Sequence, residues 1–268
     1  MKTVREEKIG KTTLRLLERG GGFVGIAIHA GKAGAPVEGE DQQEVWLQLR
    51  QIAGRAHEEY FGFDEARRRF LALFPGGFGS EKFQTIERNY KLAAKAKLDA
   101  VAPVEEAATG TGFASGIKAA LNATNLIHQI EKARTHDMLR SPDGDKFIQA
   151  SARFALGDDD AFSAIAGILK DHSLGWTGAT YLPFLWAPDR HMFLKPMVTC
   201  DYARRVGHSF ADDYRSEISL DVYAALLDLT ATTRRELAPL NPVNNIDLQS
   251  FIWAIGEQAA ELGQVTVD

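Results

Sequence analysis

Cysteine is nearly missing from this chain of 268 residues: Cys200 is the one thiol. A lone thiol closes no intramolecular disulfide, and a Cys-rich zinc module needs several thiolates or imidazoles. Long apolar runs are missing too. Each breaks within a few residues, far short of the roughly 20 that a spanning helix requires. No apolar stretch follows the polar start Met1 to Gly10, so no secretory signal is expected. These absences point to a reducing, cytosolic setting and to no membrane.

The common catalytic signatures are also absent. There is no Walker A run with its Lys and Ser/Thr, and no Gly-x-Ser-x-Gly elbow. The seven histidines are His29, His57, His128, His136, His172, His191 and His208. None pair at the i, i+4 spacing that brings two imidazoles to one metal, and His128 and His136 stand about two helical turns apart. No metal and no cofactor are expected.

What is present is ordinary globular composition, with 45% apolar and 25% charged residues. The length suits one large domain or two modest ones. The net charge of −5 is unevenly spread. Five cations face one carboxylate between Lys82 and Lys97, whereas ten carboxylates face three arginines from His208 onward. A globally acidic chain is no general nucleic-acid binder, but a local basic face can contact phosphate or an acidic partner.

The pattern predicts a mainly α protein with a small N-terminal antiparallel β-meander. Leu14 and Leu16, then Val24, Ile26 and Ile28, alternate around the turn residues Gly20-Gly21-Gly22. Asp41 with Glu44 resembles a capping box opening an amphipathic helix over 42–60. Further helices are expected at 64–74, 80–99, 113–123, 125–139, 145–156, 160–171, 198–206, 219–238 and 245–255. The last is capped by Asn245. The aromatic and proline-rich stretch 174–196 reads as irregular structure with a short strand, His191 to Lys195. Small and glycine-rich residues over 101–116 suggest a linker between a lobe at 1–100 and a helical lobe at 117–268. Trp186, Phe193, Phe251 and Trp253 are expected to be largely buried.

Several local clusters invite chemistry. Gly110-Thr111-Gly112 lacks the buried strand that a dinucleotide fingerprint needs, and reads as a joint. Asp143, Asp145 and Lys146 have the residue types of a metal-dependent nuclease, yet sit where a turn and helix cap are expected. Cys200, beside Asp201, reads as a buried structural thiol. Thr199 to Gly207 has the spacing of a helix-turn-helix start, but a polar, acidic segment follows where a recognition helix should stand. The strongest surface signal is the 80–99 helix. If Phe83, Ile86, Tyr90, Ala94 and Leu98 face inward, then Arg88, Lys91 and Lys95 form an outward cationic stripe able to bind phosphates. Arg67, Arg68 and Arg69 would extend it.

Two segments resemble a group of bacterial cytosolic proteins of unassigned role. One runs from Phe70 to Ala94, with Phe74-Pro75-Gly76-Gly77-Phe78 and Glu87-Arg88-Asn89-Tyr90-Lys91. The other runs from Tyr181 to Trp253, with Leu182-Pro183-Phe184-Leu185-Trp186, Phe193-Leu194-Lys195-Pro196 and Ile246-Asp247-Leu248-Gln249-Ser250-Phe251-Ile252-Trp253. The later segment is also similar to regions of restriction-type and other defence-associated proteins. The resemblance carries no catalytic residues; it implies a bacterial accessory role related to nucleic acid.

Two functions follow as expectations. The first is a non-catalytic accessory or interaction protein, holding nucleic acid or an acidic protein partner at Arg88, Lys91 and Lys95. The alternative is a hydrolase or nuclease whose site is assembled from residues distant in sequence. A flat basic surface would speak for the first, and a deep pocket of converging carboxylates and histidines for the second.

Overall fold

A computed structural model of the chain describes residues 2–9, 12–29, 31–55 and 59–256. His57 lies outside the described residues. The architecture is mainly α, with a small N-terminal antiparallel sheet. Contacts divide the chain into two units: Met1–Arg68 with Cys200–Asp213, and Arg69–Thr199 with Tyr214–Asp268.

The first unit is built on the sheet. Strands β1 (Lys2–Ile9), β2 (Thr12–Arg19) and β3 (Gly22–His29) form an antiparallel meander. The short β4 (Lys32–Ala33) and β5 (Val37–Gly39) both pair with β3. Gly20 and Gly21 take φ of +60° and +89°. Two successive positive values in a two-residue link are those of a type I′ hairpin, whose twist matches the flanking strands. Sequence alternation missed β1, because its charged residues carry no apolar period. That composition suits an edge strand, where charge discourages pairing with another chain.

Helix α1 (Gln42–Arg55) begins where the Asp41 carboxylate accepts from the Glu44 N–H at 2.8 Å. It lays Val45, Trp46, Leu49 and Ala53 on Leu14, Leu16 and Ala27 of the sheet. The Arg5 guanidinium stands 4.2 Å from the Trp46 ring centre. Helix α2 (Gly62–Leu73) follows, with Arg67 and Arg68 paired to Asp64 and Glu65 on the same helix.

The second unit is helical. After α3 (Glu81–Phe83) come a π-helical turn (Gln84–Arg88), α4 (Asn89–Val101), α5 (Val104–Ala107), α6 (Ala114–Asn122) and α7 (Gln129–Arg140). Then follow α8 (Gly144–Leu156), α9 (Ala161–Asp171), α10 (Trp176–Trp186) and α11 (Pro196–Val206), whose later part counts with the first unit. The four-residue α12 (Phe210–Asp213) precedes α13 (Leu220–Glu236) and α14 (Asn245–Ile255). Phe70, Phe74, Phe78 and Phe83 cluster with Phe251 of α14, whose ring centre lies 5.0 Å from that of Phe70.

Three local expectations are corrected. Residues 176–186 form a helix, not irregular structure. All eleven positions of α10 are buried, so the helix has no polar face for periodicity to reveal. The stretch His191–Lys195 pairs with no strand. Its backbone is satisfied by side chains instead: the Thr180 hydroxyl accepts from Leu194 N–H at 2.9 Å, and Asn245 donates to His191 C=O at 2.9 Å. The cap of α14 is Asn244, one residue earlier, whose side chain accepts from Ile246 N–H.

The stretch 101–116 lies inside the second unit and contains α5. Its glycines are pinned to α8: Gly112 donates to Asp145, and Gln149 donates to Gly110 C=O. Trp186, Phe193 and Phe251 are buried, whereas Trp253 is half-buried.

Candidate functional site

The 80–101 segment buries Phe83, Ala94 and Leu98 as expected, but Glu87 and Lys91, rather than Ile86 and Tyr90, complete its inner face. Ser80 caps its start, accepting from Phe83 N–H. The next turn is π-helical, with Asn89 N–H reaching back five residues to Gln84 C=O. Such a turn carries one extra residue and rotates everything after it. Phe83, Glu87, Lys91, Ala94 and Leu98 face the interior, while Ile86 and Tyr90 are only half-buried.

The outward cationic stripe is thereby overturned. Lys91 is 1% exposed, and its ammonium donates to Glu87 Oε2 at 2.9 Å and to Ser250 Oγ at 2.6 Å. Arg88 Nη1 lies 3.2 Å and 3.3 Å from the two carboxylate oxygens of buried Asp247. Lys95 donates to Asp99 and to Trp186 C=O, each at 3.0 Å. The expectation set these three on the solvent face, but Lys91 at i shares the buried face of Ala94 at i+3 and Leu98 at i+7, Arg88 is held by buried Asp247, and Lys95 stays partly exposed beside Asp99.

Above this network opens a polar cleft of about 220 Å³, lined by Glu87, Tyr90, Lys91, Asn125, Leu126, Lys195, Gln249 and Trp253. Four distant stretches meet here. The π turn and α4 bring Glu87, Tyr90 and Lys91; the link between α6 and α7 brings Asn125 and Leu126; the residue before Pro196 brings Lys195; and α14 brings Gln249 and Trp253. Glu87 and Lys91 share one helical face at i, i+4, as do Gln249 and Trp253.

Electrostatics follow from burial. Removal from water pushes the Lys91 ammonium below its ordinary pKa, and the Glu87 carboxylate and then Asp247 oppose that shift. Burial pushes the Asp247 carboxyl up, against the Val243 N–H at 2.7 Å and the Arg88 guanidinium. Burial also raises the Tyr90 phenol, with the Glu87 charge adding to it. Glu87 cancels Lys91, and Asp247 cancels Arg88, so the cleft keeps the surplus positive charge of Lys195. Gln249 is 6% exposed, and its Oε1 is buried with no hydrogen-bond partner among the described residues.

The other sequence candidates lie apart from this cleft. Asp143, Asp145 and Lys146 form the turn and first residues of α8; Asp143 holds the N-cap position, but its side chain accepts from no backbone N–H of the helix. Asp143 accepts from Lys146 at 2.9 Å and contacts His172 Nε2 at 3.3 Å, and both hold its carboxyl below the ordinary range. Cys200 is buried, and removal from water raises its thiol to about 11. After α11 comes the four-residue α12 rather than a recognition helix. Among the described residues, no group of three or more His, Cys, Asp or Glu could hold a metal ion, and no helix is long and apolar enough to cross a membrane.

Sequence reasoning named Lys91 for the wrong face and missed Glu87, Lys195, Gln249 and Trp253 as site residues. One signal was available: Glu87 to Lys91, Phe193 to Pro196, and Ile246 to Trp253 are among the segments that carry the resemblance. They are distant in sequence and meet at one cleft. No family model, curated protein or solved structure matches the chain.

Proposed function

We propose that this is an interaction protein that captures a phosphate-bearing ligand, nucleic acid foremost, in the polar cleft. The carrying observation is the convergence of four distant segments on an open cleft with a buried acceptor, Gln249 Oε1, that meets no donor among the described residues. A buried polar atom left unpaired costs free energy, which a ligand donor can recover. The Lys195 charge favours an anion there, and Lys91 spends two of its three donors on protein partners, leaving one.

The test is fluorescence anisotropy of a labelled single-stranded oligonucleotide across a salt series. Binding should weaken as salt rises, by about 0.7 in logarithmic slope for each neutralised phosphate of a single strand. Lys195→Glu should weaken binding at least tenfold while leaving the far-UV spectrum unchanged. No binding by the wild type at low salt, or equal binding by the variant, refutes the proposal.

A second reading, hydrolysis of the bound ligand, is favoured by one observation: Glu87 places a carboxylate in the cleft. Among the described residues no histidine lines that cleft, and Glu87 is engaged by Lys91. Strand cleavage in the presence of Mg²⁺, abolished by Glu87→Gln, would establish that reading.

A further inference from the structure

Beyond charge, the cleft has the parts to read one nucleobase. We infer that it takes a single unstacked nucleoside phosphate, its base against the aromatic wall, its edge on the Gln249 amide and its phosphate on Lys195. This inference rests on the phosphate-binding reading above and adds the ligand class.

Size comes first. A cleft of about 220 Å³ is smaller than the roughly 300–1,000 Å³ of drug-sized ligand sites. It admits one base with its sugar and excludes a run of stacked bases. The lining then divides by chemistry. Trp253 and Tyr90 supply π-faces, on which any base can stack. Gln249 supplies an amide with a donor end and an acceptor end, and bases carry both kinds of group on their edges. Lys195 supplies the charge for the phosphate.

Placement supports the division. Gln249 and Trp253 stand one turn apart on α14, so their side chains are neighbours on one helical face. A base lying on the indole brings its edge within reach of the amide one turn away. The buried Gln249 carbonyl has no partner among the described residues, and an amino or imino N–H of a base is the donor it lacks. A half-turn about its last bond exchanges the two ends of the amide. A duplex hides both base faces, and extruding a nucleotide costs unstacking. Single strands and strand ends therefore fit better than an intact duplex.

The chain has four tryptophans, and Trp46, Trp176 and Trp186 are buried. Stacking of a base on Trp253 should therefore quench a fluorescence signal that Trp253→Phe removes. The probes are ribose 5-phosphate, the four nucleosides, the four nucleoside monophosphates, a 12-nucleotide single strand and the matching blunt duplex. The expected result is quenching by nucleotides, with ribose 5-phosphate and the blunt duplex each at least tenfold weaker than the base-bearing single-stranded probes. Gln249→Leu should reduce affinity about tenfold and level the preference among the four bases, and Gln249→Glu should change which base is preferred. A melting curve for each variant checks that the fold is kept. Binding by the single strand but by no mononucleotide supports the inference with the strand as the source; binding by mononucleotides supports it with free nucleotides as a source. Equal binding of ribose 5-phosphate and nucleotides overturns the base-reading inference but leaves phosphate capture standing, and equal binding of duplex and single strand overturns it likewise. If no phosphate-bearing probe binds, both readings fall.

Discussion

Removing the Lys91 ammonium should destabilise the protein severely, and removing its partner as well should restore most of the loss. In Lys91→Met the alkyl stem keeps much of its packing, but the ammonium that holds Glu87 at 2.9 Å and Ser250 at 2.6 Å is gone. Glu87 is 5% exposed, so its carboxylate stays in the interior with no cation. Breaking a buried pair in this way costs about 3–5 kcal/mol, because the surviving charge has lost both water and partner. For a chain of this size, about 2–4 °C of melting temperature accompanies each kcal/mol, so the midpoint should fall by roughly 6–20 °C. Lys91→Met with Glu87→Leu leaves no buried charge. Replacing a whole buried pair by apolar residues is often neutral or stabilising by about 1–4 kcal/mol. The double variant should therefore lie close to wild type, with a coupling of several kcal/mol in the cycle. Urea unfolding followed by far-UV circular dichroism at pH 7 measures all four corners. A Lys91→Met variant within about 0.5 kcal/mol of wild type would refute the reasoning, as would a double variant less stable than the single, since surface substitutions typically stay within that margin.

Two further outcomes are expected. The Tyr223 hydroxyl accepts from Met192 N–H and lies 3.0 Å from His191 Nδ1, and burial lowers the imidazole from 6.5 to about 4. Below pH 6.5 the unfolded chain takes up a proton that the native state refuses. Stability is full above that pH and declines toward pH 4, by about 1.4 kcal/mol per unit and about 3 kcal/mol in all. Urea midpoints from pH 7 to 4 should show this decline in the wild type and a shallower one in His191→Phe; identical slopes would disprove it. A Cβ added at Gly54 would meet Gly207 O at 2.3 Å and Gly207 Cα at 2.9 Å, both backbone atoms. Gly54→Ala gains about 1 kcal/mol of helix propensity but should lose about 1–3 kcal/mol to overpacking. A variant with a higher melting temperature than wild type would rule out so close an approach.

The sequence by itself determined the elements whose cause is local. The Gly20–Gly21 link with alternating leucines made the β2–β3 hairpin legible, and Asp41 with Glu44 marked the start of α1. The amphipathic runs marked most helices to within a few residues, because a two-sided environment writes a period into the chain. Elements lacking such a side were illegible: α10, buried on every face, and β1, exposed and charged along its length. For the site, residue types were legible and their direction was not. Lys91 stands at i to Ala94 at i+3 and Leu98 at i+7 and so shares their buried face, and only Glu87 and Ser250 beside it make that position tolerable. Lys195, Gln249 and Trp253 became one cleft because residues far apart along the chain pack together, and sequence spacing carries no record of that approach. Local hydrogen bonding and apolar periodicity are written in neighbouring residues, but the neutralisation of buried charge and the shape of a cleft exist only once distant segments meet.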